Sequence, residues 1–469
     1  MTEIPPDTHH RRAAVPVHAR PGDPYPGVWA WPGVRLGWQG AHVIHAGAQN
    51  ATLVLGPPRS GKTTGIVAAA VAEAPGPVVA TSTKADLAEL TVSWRRPKGR
   101  CWYFDPSATT TAPAGLSVLR WSPLHGCGDW PTAIRRAHAL ASIADTPYGD
   151  NTHWVERPET LLSALLHAGA LADTSMRWVL RSVLRRDLGD ALATLAATES
   201  DTLAGHSLQG IAETDERERS GILSTAARLL SAYRNPKALD ATVDTNFDPD
   251  EFVHSAETIY LVAPSAVQAQ LAPIVICLLD EIRTATYKRH ASWPPTLYAL
   301  DEAANIAPLP DLPAILAEGA GQGLVTLTCL QDLNQARARW GHQADGFLTL
   351  HAVKLALGGI ADPQTLHALS YLAGNIDVTY KTHGGYHQGL IQNVSWNQTI
   401  AQRPRIPPET INTLPRNTAY LAHSTHQPRI ITLQPPALPA PPRAKPSPLT
   451  RLAETLNRIA NPTPKGNPK

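Results

Sequence analysis

Short apolar runs rich in β-branched and aromatic residues recur along the chain, at 52–55, 78–80, 101–104, 258–262, 297–300, 324–330 and 353–357. Helical patterns lie between them. Alternation of this kind predicts an α/β fold with a mostly parallel sheet covered by helices on both faces. Two later runs, 419–422 and 429–433, read as edge strands. The block 128–245 differs, because it contains no strand-like run. Its apolar positions recur at helical spacing over 130–144, 158–172, 174–186 and 218–233. It therefore reads as an all-α domain inserted between the third and fourth strands of a discontinuous nucleotide-binding domain, 35–127 plus 246–434.

The ends of the chain carry no such pattern. Residues 1–34 read as a flexible N-terminal arm and 435–469 as a Pro-rich basic tail. Within that tail 435–448 has the composition of a polyproline spacer, and 449–459 fits one short basic amphipathic helix. A solubilising tail and a docking segment are both open readings of it. There are no internal repeats.

Charge narrows little. Forty-one Lys and Arg oppose 39 Asp and Glu in 469 residues, for a net charge of +2. That balance neither demands nor excludes a nucleic-acid partner. Cys101, Cys127, Cys277 and Cys329 are widely spaced and mostly sit in apolar runs, as buried thiols of a reducing compartment would. No signal peptide and no run of about 18 apolar residues is found, so a cytoplasmic chain, soluble or peripheral to a membrane, is expected.

The chemistry concentrates after the first run. Gly56-Pro57-Pro58-Arg59-Ser60-Gly61-Lys62-Thr63 matches G-x-x-x-x-G-K-[ST], with an apolar strand before it and a helical segment from Thr64 after it. Glycines let the backbone curl so that its N–H groups face phosphates, and the helix start adds its dipole. Lys62 would reach the β- and γ-phosphates of ATP, and the Thr63 hydroxyl would ligate Mg²⁺. The chain is thus expected to be a P-loop ATPase. The run 297–300 delivers Asp301 and Glu302 to the carboxyl edge of the sheet. Asp301 is the candidate Mg²⁺ partner and Glu302 the candidate base that polarises water. The run 324–330 ends in Gln331, a candidate hydrogen-bond donor to the γ-phosphate or the lytic water.

Several segments in order resemble the conjugative coupling proteins, the TraG/TraD-like ATPases of type IV secretion. They are Lys84-Ala85-Asp86-Leu87, Phe104-Asp105-Pro106, Trp121-Ser122-Pro123-Leu124, Asp301-Glu302-Ala303-Ala304-Asn305, Gln331-Asp332-Leu333-Asn334-Gln335 with Trp340-Gly341, Asp362 through Thr365 and Ser370 to Gly374, and Arg403-Pro404 through Leu414-Pro415. The resemblance spans about 35–435. It implies a RecA-like motor with an inserted all-α domain and a homohexameric ring on the cytoplasmic side of the membrane. It also implies ATP hydrolysis coupled to export of single-stranded DNA with its bound relaxase, through type IV secretion channel components.

Two features depart from the family. Many members begin with transmembrane helices, so this chain is expected to use a separate membrane-anchor subunit, or to be a soluble variant or a fragment. Many members also carry an arginine in the turn before the Gln-ending strand, and residues 318–323 hold none. Arg217, Arg219 and Arg337 are the substitutes considered. Arg135, Arg136, Arg181, Arg185 and Arg186 are the expected DNA phosphate contacts, the alternative being that they face an acidic protein partner. Rival readings are a FtsK-like double-stranded DNA pump and a weakly hydrolysing, ATP-dependent recruitment adaptor.

Overall fold

Strands buried on both sides cannot alternate apolar with polar, and the central sheet shows why the runs are continuous. The structure, a computed structural model, describes residues 31–142, 152–198, 202–289, 294–388, 391–424 and 426–433. Most of the N-terminal arm and all of the Pro-rich tail lie outside these residues.

The strands are β1 (Arg35–Gln39), β2 (His42–His45), β3 (Thr52–Leu55), β4 (Val78–Ser82), β5 (Cys101–Phe104), β6 (Ser117–Val118), β7 (Thr258–Val262), β8 (Thr296–Leu300), β9 (Leu324–Leu330), β10 (Val353–Leu357), β11 (Asn375–Gln388), β12 (Ile391–Pro404), β13 (Thr418–His423) and β14 (His426–Thr432). Twelve form one sheet in the order β2-β1-β14-β13-β10-β3-β9-β8-β4-β7-β5-β6. From β10 to β6 all neighbours are parallel. From β10 to β2 they are antiparallel. This is the α/β, RecA-like arrangement.

Alternate residues of each central strand feed different cores. Leu53 and Leu55, Trp102 and Phe104, and Tyr298 and Leu300 join the core on one face. Val54, Cys101, Tyr103, Leu297 and Ala299 join the core on the other. The second face is covered by α1 (Ala68–Glu73), whose alanines let it lie close to the sheet, and by α2 (Asp86–Arg95). A π-wide turn, Thr63–Val67, opens α1.

Between β6 and β7 every described element is helical: α3 (Trp130–Ala141), α4 (Thr152–Leu171), α5 (Met176–Arg185), α6 (Gly189–Thr198), α7 (Leu203–Ala212), α8 (Glu216–Leu229), α9 (Pro236–Asp240) and α10 (Pro249–Val253). Polar residues open these helices. Asp129 accepts from the Thr132 amide at 3.0 Å, Thr202 from the Gly205 amide at 3.1 Å and Asp215 from the Arg217 amide at 3.0 Å. α4 packs against α3, α5, α6, α7 and α8, and is the hub of the bundle. Its core is continuous with that of the first sheet face, running from Leu53 through Trp121 to Leu161, Leu165 and Leu208.

The remaining helices follow the later strands: α11 (Gln268–Lys288), α12 (Ala303–Ile306), α13 (Leu312–Glu318), α14 (Leu333–Trp340), α15 (Phe347–Leu350), α16 (Pro363–Ala373) and α17 (Pro408–Asn412).

Two expectations need correction. The runs at 419–422 and 429–433 are strands, but not at an edge, because β1 and β2 extend the sheet beyond β14. Those two strands are short, their apolar residues interrupted by Gly37 and bounded by Arg35, Gln39, His42 and His45 at the ends. A hydrophobic pattern does not reveal them. The second omission is a long hairpin, β11 with β12, paired from Asn375↔Pro404 to Gln388↔Ile391 as a separate sheet. Among the described residues no helix is long and apolar enough to cross a membrane.

Candidate functional site

β3, β9, β8 and β4 are consecutive in the sheet and parallel, so their C-terminal ends open on one edge. The loop Gly56–Thr63 leaves β3, Gln331 follows β9, and Asp301 and Glu302 follow β8. The edge beyond the carboxyl ends of parallel strands is where such folds place ligands.

The loop is tightly built. The Gly56 amide is shared between the carbonyls of Leu330 (3.2 Å) and Gln331 (3.1 Å), which joins β3 to the end of β9. A Cβ on Gly56 would lie 2.7 Å from Ser60 Oγ and 3.0 Å from Leu357 Cβ, so any larger residue would displace its neighbours. Gly61 has φ +96°, the left-handed region that glycine enters freely. Pro57 and Pro58 carry no N–H, which leaves the amides from Arg59 to Thr64 as the loop's donors. Arg59 and Pro58 are exposed at its tip.

Lys62 is buried at 5% exposure, and its ammonium donates to the carbonyls of Gly56 at 2.5 Å and Pro57 at 3.1 Å. The positive charge is therefore held inside the curl of the loop. Ser60 Oγ is buried with no hydrogen-bond partner among the described residues. A buried hydroxyl, a buried ammonium and a curl that a Cβ would fill are the features a phosphate chain would satisfy.

The two candidate Mg²⁺ ligands meet across 238 residues of sequence, with Thr63 Oγ1 donating to Asp301 Oδ2 at 2.5 Å. Asp301 is 5% exposed. Burial pushes its carboxyl above the usual carboxylate range, and neighbouring Glu302 adds to that. The Thr63 hydrogen bond and the Lys62 charge pull the other way. One carboxylate and one hydroxyl suit Mg²⁺, which keeps several waters and takes few protein ligands.

Glu302 has φ +54° and ψ +46°, a left-handed conformation uncommon for a non-glycine residue. It opens α12, and Asn305 Nδ2 donates to its Oε2 at 3.1 Å. Strain of this kind collects at sites where geometry matters more than local stability.

Gln331 is fixed through its backbone. Its amide donates to Gln335 Oε1 at 2.8 Å, and its carbonyl accepts from Gly56. The spacing of the two glutamines thus has a physical reason, since Gln335 lies one turn into α14 and reaches back. Gln335 and Thr81, whose hydroxyl donates to the Asp301 carbonyl at 2.7 Å, were missed as site residues. The available signal was a polar side chain at the end of a buried strand or one helical turn after it.

Other positions are not brought to the site. Asp105 closes the loop after β5 by accepting from the amides of Ser107 (2.9 Å) and Thr110 (2.8 Å), well away along the sheet. Arg337 pairs with Asp345 at 3.1 Å and Gln364 at 2.8 Å, and Arg219 donates to the Ala212 carbonyl at 2.6 Å. Arg217 is exposed on α8. The expectation for Arg135 and Arg136 is corrected. Arg136 is 1% exposed, bonds Glu281 at 2.6 Å and stacks 4.6 Å above the Trp121 ring. Arg135 pairs with Glu281 at 3.0 Å. Both are committed to α11, whereas Arg181, Arg185 and Arg186 are exposed on α5 and at its C-terminal end. All four cysteines are buried free thiols.

Comparisons with known proteins agree with this geometry. Residues 30–433 match a family model described as type IV secretory system conjugative DNA transfer. A conjugal transfer protein TraG of Escherichia coli is 24% identical over 424 residues, covering 81% of this chain and 64% of its own length. The chain thus spans just under two thirds of that relative. The unbound bacterial conjugative coupling protein TrwBdeltaN70 superposes with a TM-score of 0.64 at 18% identity, covering 82% of this chain and 85% of that one. TrwB in complex with ADP and Mg²⁺ gives 0.62 at 17% identity, over 82% and 85%.

Proposed function

The chain belongs to the type IV secretory system conjugative DNA transfer family, and from that premise we propose that it is an ATP-hydrolysing coupling protein that pumps single-stranded DNA with its bound relaxase. The observation that carries the ATPase reading is the 2.5 Å contact between Thr63 Oγ1 and Asp301 Oδ2 beside the buried Lys62. The complex of TrwB with ADP and Mg²⁺ supports it.

The loop amides from Arg59 to Thr64 would cradle the phosphates of ATP, with Lys62 neutralising charge on the β- and γ-oxygens. Thr63 and Asp301 would hold Mg²⁺, which would supply Lewis-acid stabilisation of the negative charge developing on the phosphates. Glu302 would orient a water in line with the γ-phosphorus and accept its proton as the bond to the ADP oxygen breaks. Gln331 would hydrogen-bond the γ-phosphate or that water.

In this reading 35–127 and 246–434 form the motor, 128–245 the inserted helical domain, and 1–34 and 435–469 the flanking arms. The motor would assemble as a homohexamer at the inner face of the membrane, with a separate membrane-anchor subunit and secretion channel components as partners. DNA phosphates would meet Arg181, Arg185 and Arg186, since Arg135 and Arg136 are occupied. A second reading, a weakly hydrolysing recruitment adaptor, is favoured by one observation. Arg219 and Arg337 are bonded within the chain, and 318–323 offers no arginine for a neighbouring site.

The test is ATP turnover with and without single-stranded DNA, with mass followed by light scattering. Turnover that DNA stimulates in an oligomer supports the motor. Tight ATP binding with negligible turnover in every assembly state supports the adaptor. Glu302→Gln should bind Mg²⁺·ATP and fail to hydrolyse it, because the amide keeps the shape and loses the basicity. Turnover by that variant at the wild-type rate would remove Glu302 from the mechanism.

A further inference from the structure

The ladder between β4 and β8 ends at the pair Thr81↔Leu300. One residue further, β8 has begun to turn, with the Asp301 amide donating to the Ala299 carbonyl at 3.2 Å. The Asp301 carbonyl lies past the last ladder pair. It is also half of the peptide joining Asp301 to Glu302. Thr81 meets this carbonyl from the neighbouring strand, its Oγ1 donating at 2.7 Å. Thr81 is 0% exposed.

We propose that Thr81 is a positioning residue for the metal and water side of the site. This rests on the roles proposed above for Asp301 and Glu302. The orientation of the Asp301–Glu302 peptide is shared between the ψ of Asp301 and the φ of Glu302. Pinning its carbonyl therefore aims two side chains at once. Asp301 is held at both ends, its carboxylate by Thr63 at 2.5 Å and its carbonyl by Thr81 at 2.7 Å. Glu302 is held at φ +54°, a conformation that needs support from its surroundings to persist. A β-branched residue suits the end of a buried strand, and of Val, Ile and Thr only Thr brings a donor. Groups that orient metal ligands typically change metal affinity or activity by about 10- to 100-fold when removed.

The experiment compares Thr81→Val, close in shape but without the hydroxyl, with Thr81→Ser, which keeps it, in the full chain. Folding is checked by circular dichroism and thermal melting. Binding of a fluorescent ATP analogue is titrated with and without Mg²⁺, and ATP turnover is measured on the same samples. For Thr81→Val, Mg²⁺-free affinity should stay within about twofold. The Mg²⁺ concentration for half-maximal binding should rise about tenfold, and turnover should fall about 10- to 100-fold. Thr81→Ser should lie within about threefold of wild type in both. If Thr81→Val does not fold, Thr81→Ala set against Thr81→Ser reads the same hydroxyl.

A folded Thr81→Val with the wild-type Mg²⁺ midpoint overturns the proposal. Equal loss in the Val and Ser variants also overturns it, because that pattern means packing. Asp301→Asn is measured alongside. If that change leaves the Mg²⁺ midpoint unmoved, the metal role of Asp301 fails, and the Thr81 inference fails with it for a separately visible reason.

Discussion

Lowering the pH from 7.5 to 5 should cost the wild-type fold about 2 kcal/mol through His351 alone. This histidine sits between α15 and β10 and is fully buried. Its Nδ1 lies 2.9 Å from the Phe347 carbonyl, so Nδ1 carries the proton and donates. Nε2 is then a bare acceptor, buried with no hydrogen-bond partner among the described residues. The ring packs 5.7 Å from that of Phe347. A second proton on Nε2 would be a buried donor without an acceptor. Burial first, and the charge of Lys354 as well, hold the imidazole down at about 4, against the opposing pull of the Phe347 carbonyl.

The folded value lies below the ordinary 6.5. Between the two the unfolded chain binds a proton that the native chain does not. The stabilisation is complete above about 6.5, and is lost as pH falls toward 4. A shift of that size corresponds to about 3 kcal/mol in full, of which about 2 is gone at pH 5. Whole-protein stabilities are about 5–15 kcal/mol, so the loss is measurable. The assay is urea unfolding from pH 5 to 7.5 of wild type and His351→Phe. The chain has 19 histidines, so only the difference in slope isolates this one. A wild-type pH dependence no steeper than that of the variant would refute the reasoning.

Lys62→Ala should stay folded and lose on the order of 10²-fold or more in turnover, read by phosphate release. Near-normal hydrolysis would refute its place in the site. Because burial raises the Asp301 carboxyl, protons should compete with Mg²⁺ at a pH above the usual carboxylate range. The melting shift produced by Mg²⁺·ADP should therefore begin to shrink at a higher pH than an ordinary carboxylate would give, and a shift constant down to the ordinary carboxylate range would contradict this. The same raised value means that Asp301 favours the fold at low pH and gives up that contribution as pH rises through it. Glu281→Gln leaves the buried Arg136 guanidinium without its counter-charge and should cost about 3–5 kcal/mol in urea unfolding. A change under about 1 kcal/mol would mean that the Trp121 ring and the Cys277 carbonyl hold Arg136 unaided.

Local sequence was enough for the central strands and the phosphate loop. A strand covered on both faces is buried at successive positions, and β3, β5, β7, β8 and β9 are built of apolar residues with threonine as the only polar type among them. The loop is legible because its requirements lie within eight consecutive residues, glycine where a Cβ would collide at Gly56 and where φ is +96° at Gly61. Strand order is not a local property. Only the folded sheet inserts β9 between β3 and β8, which sets Gln331 against Gly56 and leaves Asp301 within reach of Thr63. β1, β2 and the β11–β12 hairpin carry no continuous apolar run, and backbone pairing alone defines them. A side chain's formula also says nothing about its partner. Arg136 and Arg181 are alike in sequence, yet one is locked against Glu281 and Trp121 and the other is exposed on α5. Thr81 reads as an ordinary strand residue until the neighbouring strand ends at its last pairing and leaves the next carbonyl for that hydroxyl to bind.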